Sequence, residues 1–262
     1  MSAADSPGGA LAGHRFASFD GATLAWTETG AGPPVILVHG LYSHAQMNWV
    51  RFGHAGRIAQ AGFRIIMPDL RGHGGSARPD PARPWPQDVL ARDLAALVAH
   101  LGLPPGGFDL GGYSLGARAV VRAVVGGLRP RRAILSGMGL EGVLAGARRL
   151  DFFGRVIDGA GRHAPGTAEF YAEQFARSTG ADLAAARPLL ASGADTAREA
   201  LAAAFTMPTL VVCGAEDADN GSAEALAAAL PHGRYLAIPG NHTTAVTRPA
   251  LGEAIAAFLR EA

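Results

Sequence analysis

The sequence predicts an α/β fold: a mostly parallel eight-stranded sheet flanked by helices and interrupted once by an inserted helical cap. Three observations lead there. Short apolar runs alternate with helix-period segments along most of the 262 residues. The interior runs lack the polar alternation of a half-solvated strand, as expected where both faces of a sheet are covered. The alternation then stops between Gly137 and Thr206, a stretch of about 70 residues that is too long for one loop.

The elements follow in order. Strands are expected at 15–19 and 23–28, joined by an Asp20-Gly21 turn. Continuous apolar runs at 35–38, 65–67, 108–113, 133–135 and 210–212 read as interior strands, with a last strand at 234–238. Residues 86–101 place Val89, Leu90, Leu94, Leu97, Val98 and Leu101 near one helical face. Further helices are expected at 117–125, 223–230 and 250–259. The Pro-rich patch 78–86 reads as a loop leading into a helix. This divides the chain into a flexible tail at 1–13, a core at 14–137 and 206–262, and a cap at 138–205.

Composition narrows the chemistry. The net charge of +1 gives no field directed at nucleic acid or an acidic membrane, so neither is expected as a partner. All 23 basic residues are arginine. Without lysine there is no Schiff-base aldolase, no pyridoxal-phosphate linkage and no phosphate-loop lysine. The single cysteine, Cys213, ends an apolar run and reads as a small core residue. There is no cysteine-histidine cluster at zinc-ligand spacing, no signal-peptide pattern at the start, and no apolar run of roughly 20 residues. The expectation is a cytoplasmic protein, monomeric or homodimeric, with no metal and no cofactor.

The chemistry centres on Gly112-Tyr113-Ser114-Leu115-Gly116. The pentapeptide fits G-x-S-x-G, follows an expected strand and precedes an expected helix. A serine on that sharp turn sits in strained backbone, and glycines two residues away on each side remove side chains that would collide. Serine is a weak nucleophile and needs a base with an orienting partner. In the order nucleophile, acid, base, the histidine comes late. His242 follows the last strand, at the carboxyl edge where ligand sites of open α/β sheets lie, whereas His232 precedes that strand. The remaining histidines are read as structural or surface residues. The acid belongs in the loop after the 210–212 strand, where Glu216, Asp217 and Asp219 compete; Asp217 is favoured and Asp219 is next. For an oxyanion, the Leu115 amide is one donor and the Leu41 amide, after His39-Gly40, is the other.

These pieces together resemble the α/β-hydrolase family, in its prolyl-aminopeptidase, esterase and aromatic C–C hydrolase branch. The matching residues are Val38-His39-Gly40, Trp49, Asp69-Leu70-Arg71-Gly72-His73-Gly74, the Ser114 turn, Gly214-x-x-Asp217 and Gly240-Asn241-His242. They stand in family order over roughly 15–137 and 206–260. Serine at position 114 is unlike the family's haloalkane dehalogenases and epoxide hydrolases, which carry aspartate there. The resemblance implies a serine hydrolase acting on a small carboxylic ester through an acyl-enzyme intermediate. A C–C hydrolase, lactonase or perhydrolase on the same triad is the alternative, and a non-catalytic small-molecule receptor is an alternative of another class.

Substrate contacts are expected from Tyr42, Trp49, Tyr113, Phe152 and Phe153, around an apolar acyl or aromatic ester. The cap aromatics, Phe170, Tyr171 and Phe175 included, either line such a pocket or pack the cap itself. Arg148 and Arg149 read as a solvated helix face rather than a carboxylate site.

Overall fold

The computed structural model describes residues 11–78, 80, 85–145 and 147–261, without the side chains of 147–150. The expected tail at 1–13, the Pro-rich patch and Arg148 and Arg149 therefore lie wholly or partly outside the described residues. Eight strands form one sheet: β1 (Ala12–Ala17), β2 (Thr23–Gly30), β3 (Pro34–Val38), β4 (Arg64–Pro68), β5 (Asp109–Tyr113), β6 (Arg132–Ser136), β7 (Thr209–Gly214) and β8 (Gly233–Ile238). Their spatial order is β1-β2-β4-β3-β5-β6-β7-β8. The β1–β2 and β2–β4 pairs are antiparallel and all others parallel. The first strand starts earlier than its apolar pattern suggests, because Glu28 and Thr27 of β2 offer backbone partners to Ala12 and Gly13. The expected tail boundary at 13 is corrected accordingly.

Helices cover both faces. On one side α2 (Val89–His100), α3 (Leu115–Val125) and α9 (Ala223–Ala228) bury a core around Ile36, Val38, Leu110 and Val211. On the other, α1 (His54–Gln60) and α10 (Pro249–Arg260) pack on Val35, Leu37, Ile65 and Val212. Alternate residues of β3 thus enter opposite cores, which is why its sequence is apolar throughout. The sequence reading names no helix between β3 and β4. The chain makes a π-helical turn at Gln46–Val50 and the seven-residue α1 there. Both are short, and α1 starts after Gly53 at φ 77° with no side-chain cap, so the local signal is weak.

Between β6 and β7 the chain forms α4 (Leu140–Leu144), α5 (Ala147–Asp158), α6 (Ala168–Ser178), α7 (Leu183–Ala191) and α8 (Arg198–Ala204). The α6 and α7 N-termini are capped by Thr167 and Asp182, each accepting from amides of the first turn. Buried Glu173 accepts from the Gly161 amide and from Arg177, tying the α5–α6 loop to α6. Among the described residues no helix is long and apolar enough to cross a membrane.

The loops after β3 and β4 are locked together by buried polar groups. His39 Nε2 accepts from the Leu70 amide at 2.9 Å, so its proton sits on Nδ1 and is donated to the Gly40 carbonyl. His73 Nε2 accepts from the Tyr42 amide at 3.1 Å, and its Nδ1–H is donated to the Arg71 carbonyl. Asp69 accepts from the Ala45 amide with one oxygen and the Gly75 amide with the other. Arg71, 3% exposed, is held between Asp20 and Asp93, and Ser18 donates to the same Asp93. The Asp69–Gly74 motif is thus a scaffold for the loop that follows β3.

The buried histidines and the buried ion pair set how stability responds to pH and to substitution. Burial pushes both His39 and His73 down to about 3, so each stays neutral in the fold. The unfolded chain takes up protons near pH 6.5, the ordinary histidine value. Stability is therefore full above that pH and falls between pH 6.5 and 3, by roughly 1 kcal/mol per pH unit for each histidine. Urea titrations from pH 7 to 4 will show this slope, and His73→Gln will flatten it. Asp93→Ala removes the buried one of the two carboxylates that hold Arg71, leaving only the more exposed Asp20, and will cost about 3 kcal/mol. Arg234→Ala, which breaks a surface pair with Glu261, will cost less than about 1 kcal/mol.

Candidate active site

Four strand ends converge at the carboxyl edge of the sheet. Helix α3 begins immediately after β5, leaving Ser114 alone to make the turn. Its backbone is at φ 53°, ψ −115°, a region costly for any residue with a side chain. The crossing is tight. A Cβ on Gly112 would lie 2.3 Å from the Gly116 carbonyl carbon, and one on Gly116 would lie 2.3 Å from the Val38 oxygen. The spacing of the two glycines is thus dictated by α3 passing against β5 and β3. The Ser114 amide donates to the Ser136 carbonyl at 2.8 Å, which anchors the turn to β6.

His242 reaches this turn from the loop after β8. Its Nε2 is 3.0 Å from Ser114 Oγ and its Nδ1 is 2.8 Å from Asp217 Oδ2. The carboxylate fixes the tautomer: Nδ1 carries the proton and Nε2 is free to accept from the serine hydroxyl. Asn241 shapes the loop by accepting from the Thr243 and Thr244 amides. The acid loop and the histidine loop are joined by the Ala215 and Glu216 amides, which donate to the Ile238 and Gly240 carbonyls. Gly214 permits this approach, since a Cβ there would lie 2.1 Å from the Gly240 oxygen.

Asp217 is buried, with 1% of its side chain exposed. Burial pushes its carboxyl up, but bonds from His242, Cys213 and the Asp219 amide outweigh it and hold it below the usual carboxylate value. Asp219, the competing carboxylate in the sequence, supplies that amide instead. Cys213 is buried as its apolar run suggests, yet its thiol also lies 3.2 Å from Asp217 Oδ2. Burial, then the neighbouring Asp217 charge, pushes the thiol up, so it stays protonated and donates. Its place at the end of β7, four residues before the acid, is the signal that sequence reasoning passed over.

Leu41 and Leu115 flank Ser114, both half-buried. A Cβ on Gly40 would lie 3.5 Å from Ser114 Cβ, so the loop after β3 runs close beside the serine. The Gly40 amide donates to Asn48 Oδ1 at 3.1 Å. Among the described residues neither the Leu41 nor the Leu115 amide donates to a protein acceptor.

The five expected substrate contacts separate. Tyr113 and Trp49 are buried in the core between the sheet and α1 and α10, beneath the site rather than facing a ligand. The reason for Tyr113 is strand alternation: Gly112 faces α3, so the next side chain points the other way. Its ring meets Gly137, and its hydroxyl donates to the His242 carbonyl at 2.6 Å. Tyr113 thus ties the strand carrying the serine to the loop carrying the histidine. Tyr42, Phe152 and Phe153 instead join the cluster that seats the helical insertion on the core. Tyr171 and Phe175 are 63% and 41% exposed, so neither packs the interior of the insertion.

The sequence profile of the alpha/beta hydrolase family matches residues 35–252. Among curated proteins, the chain is 35% identical over 95 residues to the bifunctional epoxide hydrolase 2 of Sus scrofa, covering 35% of this chain and 17% of that protein. It is 36% identical over 124 residues to a non-heme haloperoxidase of Rhodococcus erythropolis, covering 45% and 41%. The chain thus spans less than half the length of either relative. Among solved structures, a thermophilic esterase from Thermogutta terrifontis, malate bound, superimposes with a TM-score of 0.76 at 26% identity, over 95% of this chain and 98% of that one. The profile covers most of the chain and spans the strands that deliver Ser114, Asp217 and His242: the chain belongs to the alpha/beta hydrolase family.

Proposed function

We propose that this chain is a serine hydrolase acting on a small carboxylic ester through an acyl-enzyme intermediate. The observation that carries the reading is His242, poised between Asp217 at 2.8 Å and Ser114 at 3.0 Å on a turn strained to φ 53°. Ser114 Oγ attacks the ester carbonyl carbon as its proton passes to His242 Nε2. Asp217 holds the imidazole and stabilises the cation that forms. The Leu41 and Leu115 amides donate to the carbonyl oxygen as it gains charge. The tetrahedral adduct collapses, His242 gives its proton to the leaving alkoxide, and water activated by His242 releases the acid. The helical insertion at 138–205 acts as a cap. The esterase similarity supports the ester class.

Epoxide opening fits less well despite the epoxide hydrolase relatives. Attack by a serine hydroxyl on an epoxide carbon leaves an ether, which water does not readily cleave. Attack on a carbonyl leaves an ester, which the same histidine can resolve. The haloperoxidase similarity favours one second reading: hydrogen peroxide in place of water would turn the same acyl-enzyme into a peracid.

Ser114→Ala will lower turnover of p-nitrophenyl butyrate by a factor on the order of 10⁴–10⁶, and His242→Ala by a comparable factor. A Ser114→Ala protein with wild-type turnover would remove the serine from the mechanism. A chain-length series of chromogenic esters, run beside a lactone and a meta-cleavage product, sorts the substrate classes. Peracid formed from acetate and hydrogen peroxide at a rate above ester hydrolysis would select the second reading.

A further inference from the structure

The loop carrying the Leu41 amide is held from above by the helical insertion. Thr179, at the C-terminus of α6, places Oγ1 2.5 Å from the Tyr42 carbonyl oxygen. The same hydroxyl lies 3.0 Å from the Ala176 carbonyl and 3.3 Å from the Phe175 carbonyl. It has one proton, and Tyr42 offers the nearest acceptor. The next residue is tied to the core as well: the Gly180 carbonyl accepts from Arg78 at 3.0 Å.

Tyr42 is an unusual residue to hold in this way. It is not glycine, yet its φ is 60°, in the left-handed region that side chains disfavour. Such backbone persists only when its surroundings over-determine it. Three elements do so here. His73, in the loop after β4, accepts from the Tyr42 amide at 3.1 Å. Phe153 of α5 meets the Tyr42 ring edge-on, with centroids 5.6 Å apart. Thr179 of the insertion takes the carbonyl. On the other side of Leu41, the Gly40 amide is fixed by Asn48. Leu41 therefore has one clamped neighbour on each side, and one of the two clamps belongs in part to the insertion.

We propose that Thr179 is a positioning residue that couples the seating of the helical insertion to the direction of the Leu41 amide. With the insertion seated, Thr179 holds Tyr42 in its left-handed conformation and so fixes the course of the chain at Leu41, whose N–H, in the preceding Gly40–Leu41 peptide, stays beside the serine. With the bond lost, Tyr42 relaxes toward ordinary φ, the chain at Leu41 shifts with it, and the Gly40–Leu41 peptide that carries the N–H tilts away. A substrate that displaces α6 thus changes the rate of the chemical step, and not binding alone. The inference rests on the reading of Ser114 and Leu41 given under Proposed function.

The test compares wild type, Thr179→Val and Thr179→Ser, with Ser114→Ala as the benchmark for that reading. Valine keeps the shape and loses the donor; serine keeps the donor. The expected result is a fall in kcat of about tenfold for Thr179→Val, smaller than the 10²–10³ for deleting an oxyanion donor outright. KM stays within about twofold, a trifluoromethyl ketone inhibitor weakens by the same factor as kcat falls, and Thr179→Ser restores both. Amide hydrogen exchange of residues 39–45 rises in Thr179→Val and returns toward wild type in Thr179→Ser. Wild-type kcat and wild-type exchange in Thr179→Val overturn the coupling, as does a loss confined to KM. If Ser114→Ala retains activity, the reading of the serine fails, and the exchange measurement still decides whether Thr179 holds the loop.

Discussion

Helix α3 leaves β5 through a single residue, and the tight crossing of that helix over β5 and β3 sets the rest of the site. The backbones approach so closely that residues 112 and 116 cannot carry a Cβ, and Ser114 between them is forced to φ 53°. That strain lifts the hydroxyl clear of the sheet and leaves the first amide of α3 beside it. Two apolar cores on either face, drawing on alternate residues of the same strands, hold the crossing in place. The stored strain is thus offset by burial elsewhere, as expected where a functional conformation is over-determined by its surroundings.

Around that turn buried polar groups fix the loops that surround it. Neutral His39 and His73 each accept one amide and donate to one carbonyl, which places the loop after β3. Arg71, paired with Asp20 and Asp93, anchors the loop after β4 that carries His73. Tyr113 fastens the histidine loop to β5. The thiol of Cys213 and the amide of residue 219 complete the coordination of Asp217. Tyr113, Cys213 and the Asp219 amide act directly on His242 or Asp217, whereas His39, His73 and Arg71 act at a distance, through the loops after β3 and β4.

The sheet was legible in the sequence because each interior strand is a short run apolar on both faces. The serine turn was legible because its glycines are sterically required at fixed offsets. His242 followed from chain order and from lying beyond the carboxyl end of the last strand. What escaped notice is long-range and polar. Nothing local to Tyr113 says that its hydroxyl meets a carbonyl 129 positions away, and the sequence alone offers its ring as a substrate contact. Trp49 is hidden in the same way: it lies in a π-helical turn that its sequence does not announce and is buried in the core. Cys213 matched an apolar run so well that its partner four residues on went unseen. The strand β1 began early because pairing with β2, rather than its own apolar pattern, sets its limit.

The central claim is that Ser114 is a nucleophile activated by His242. The most direct measurement is to expose the wild-type protein to a fluorophosphonate and map the adduct by peptide mass spectrometry. The account predicts one stoichiometric adduct, on Ser114, that fails to form in His242→Ala on the same time scale. An unlabelled wild-type protein, or an adduct on another residue with Ser114 unmodified, would contradict it.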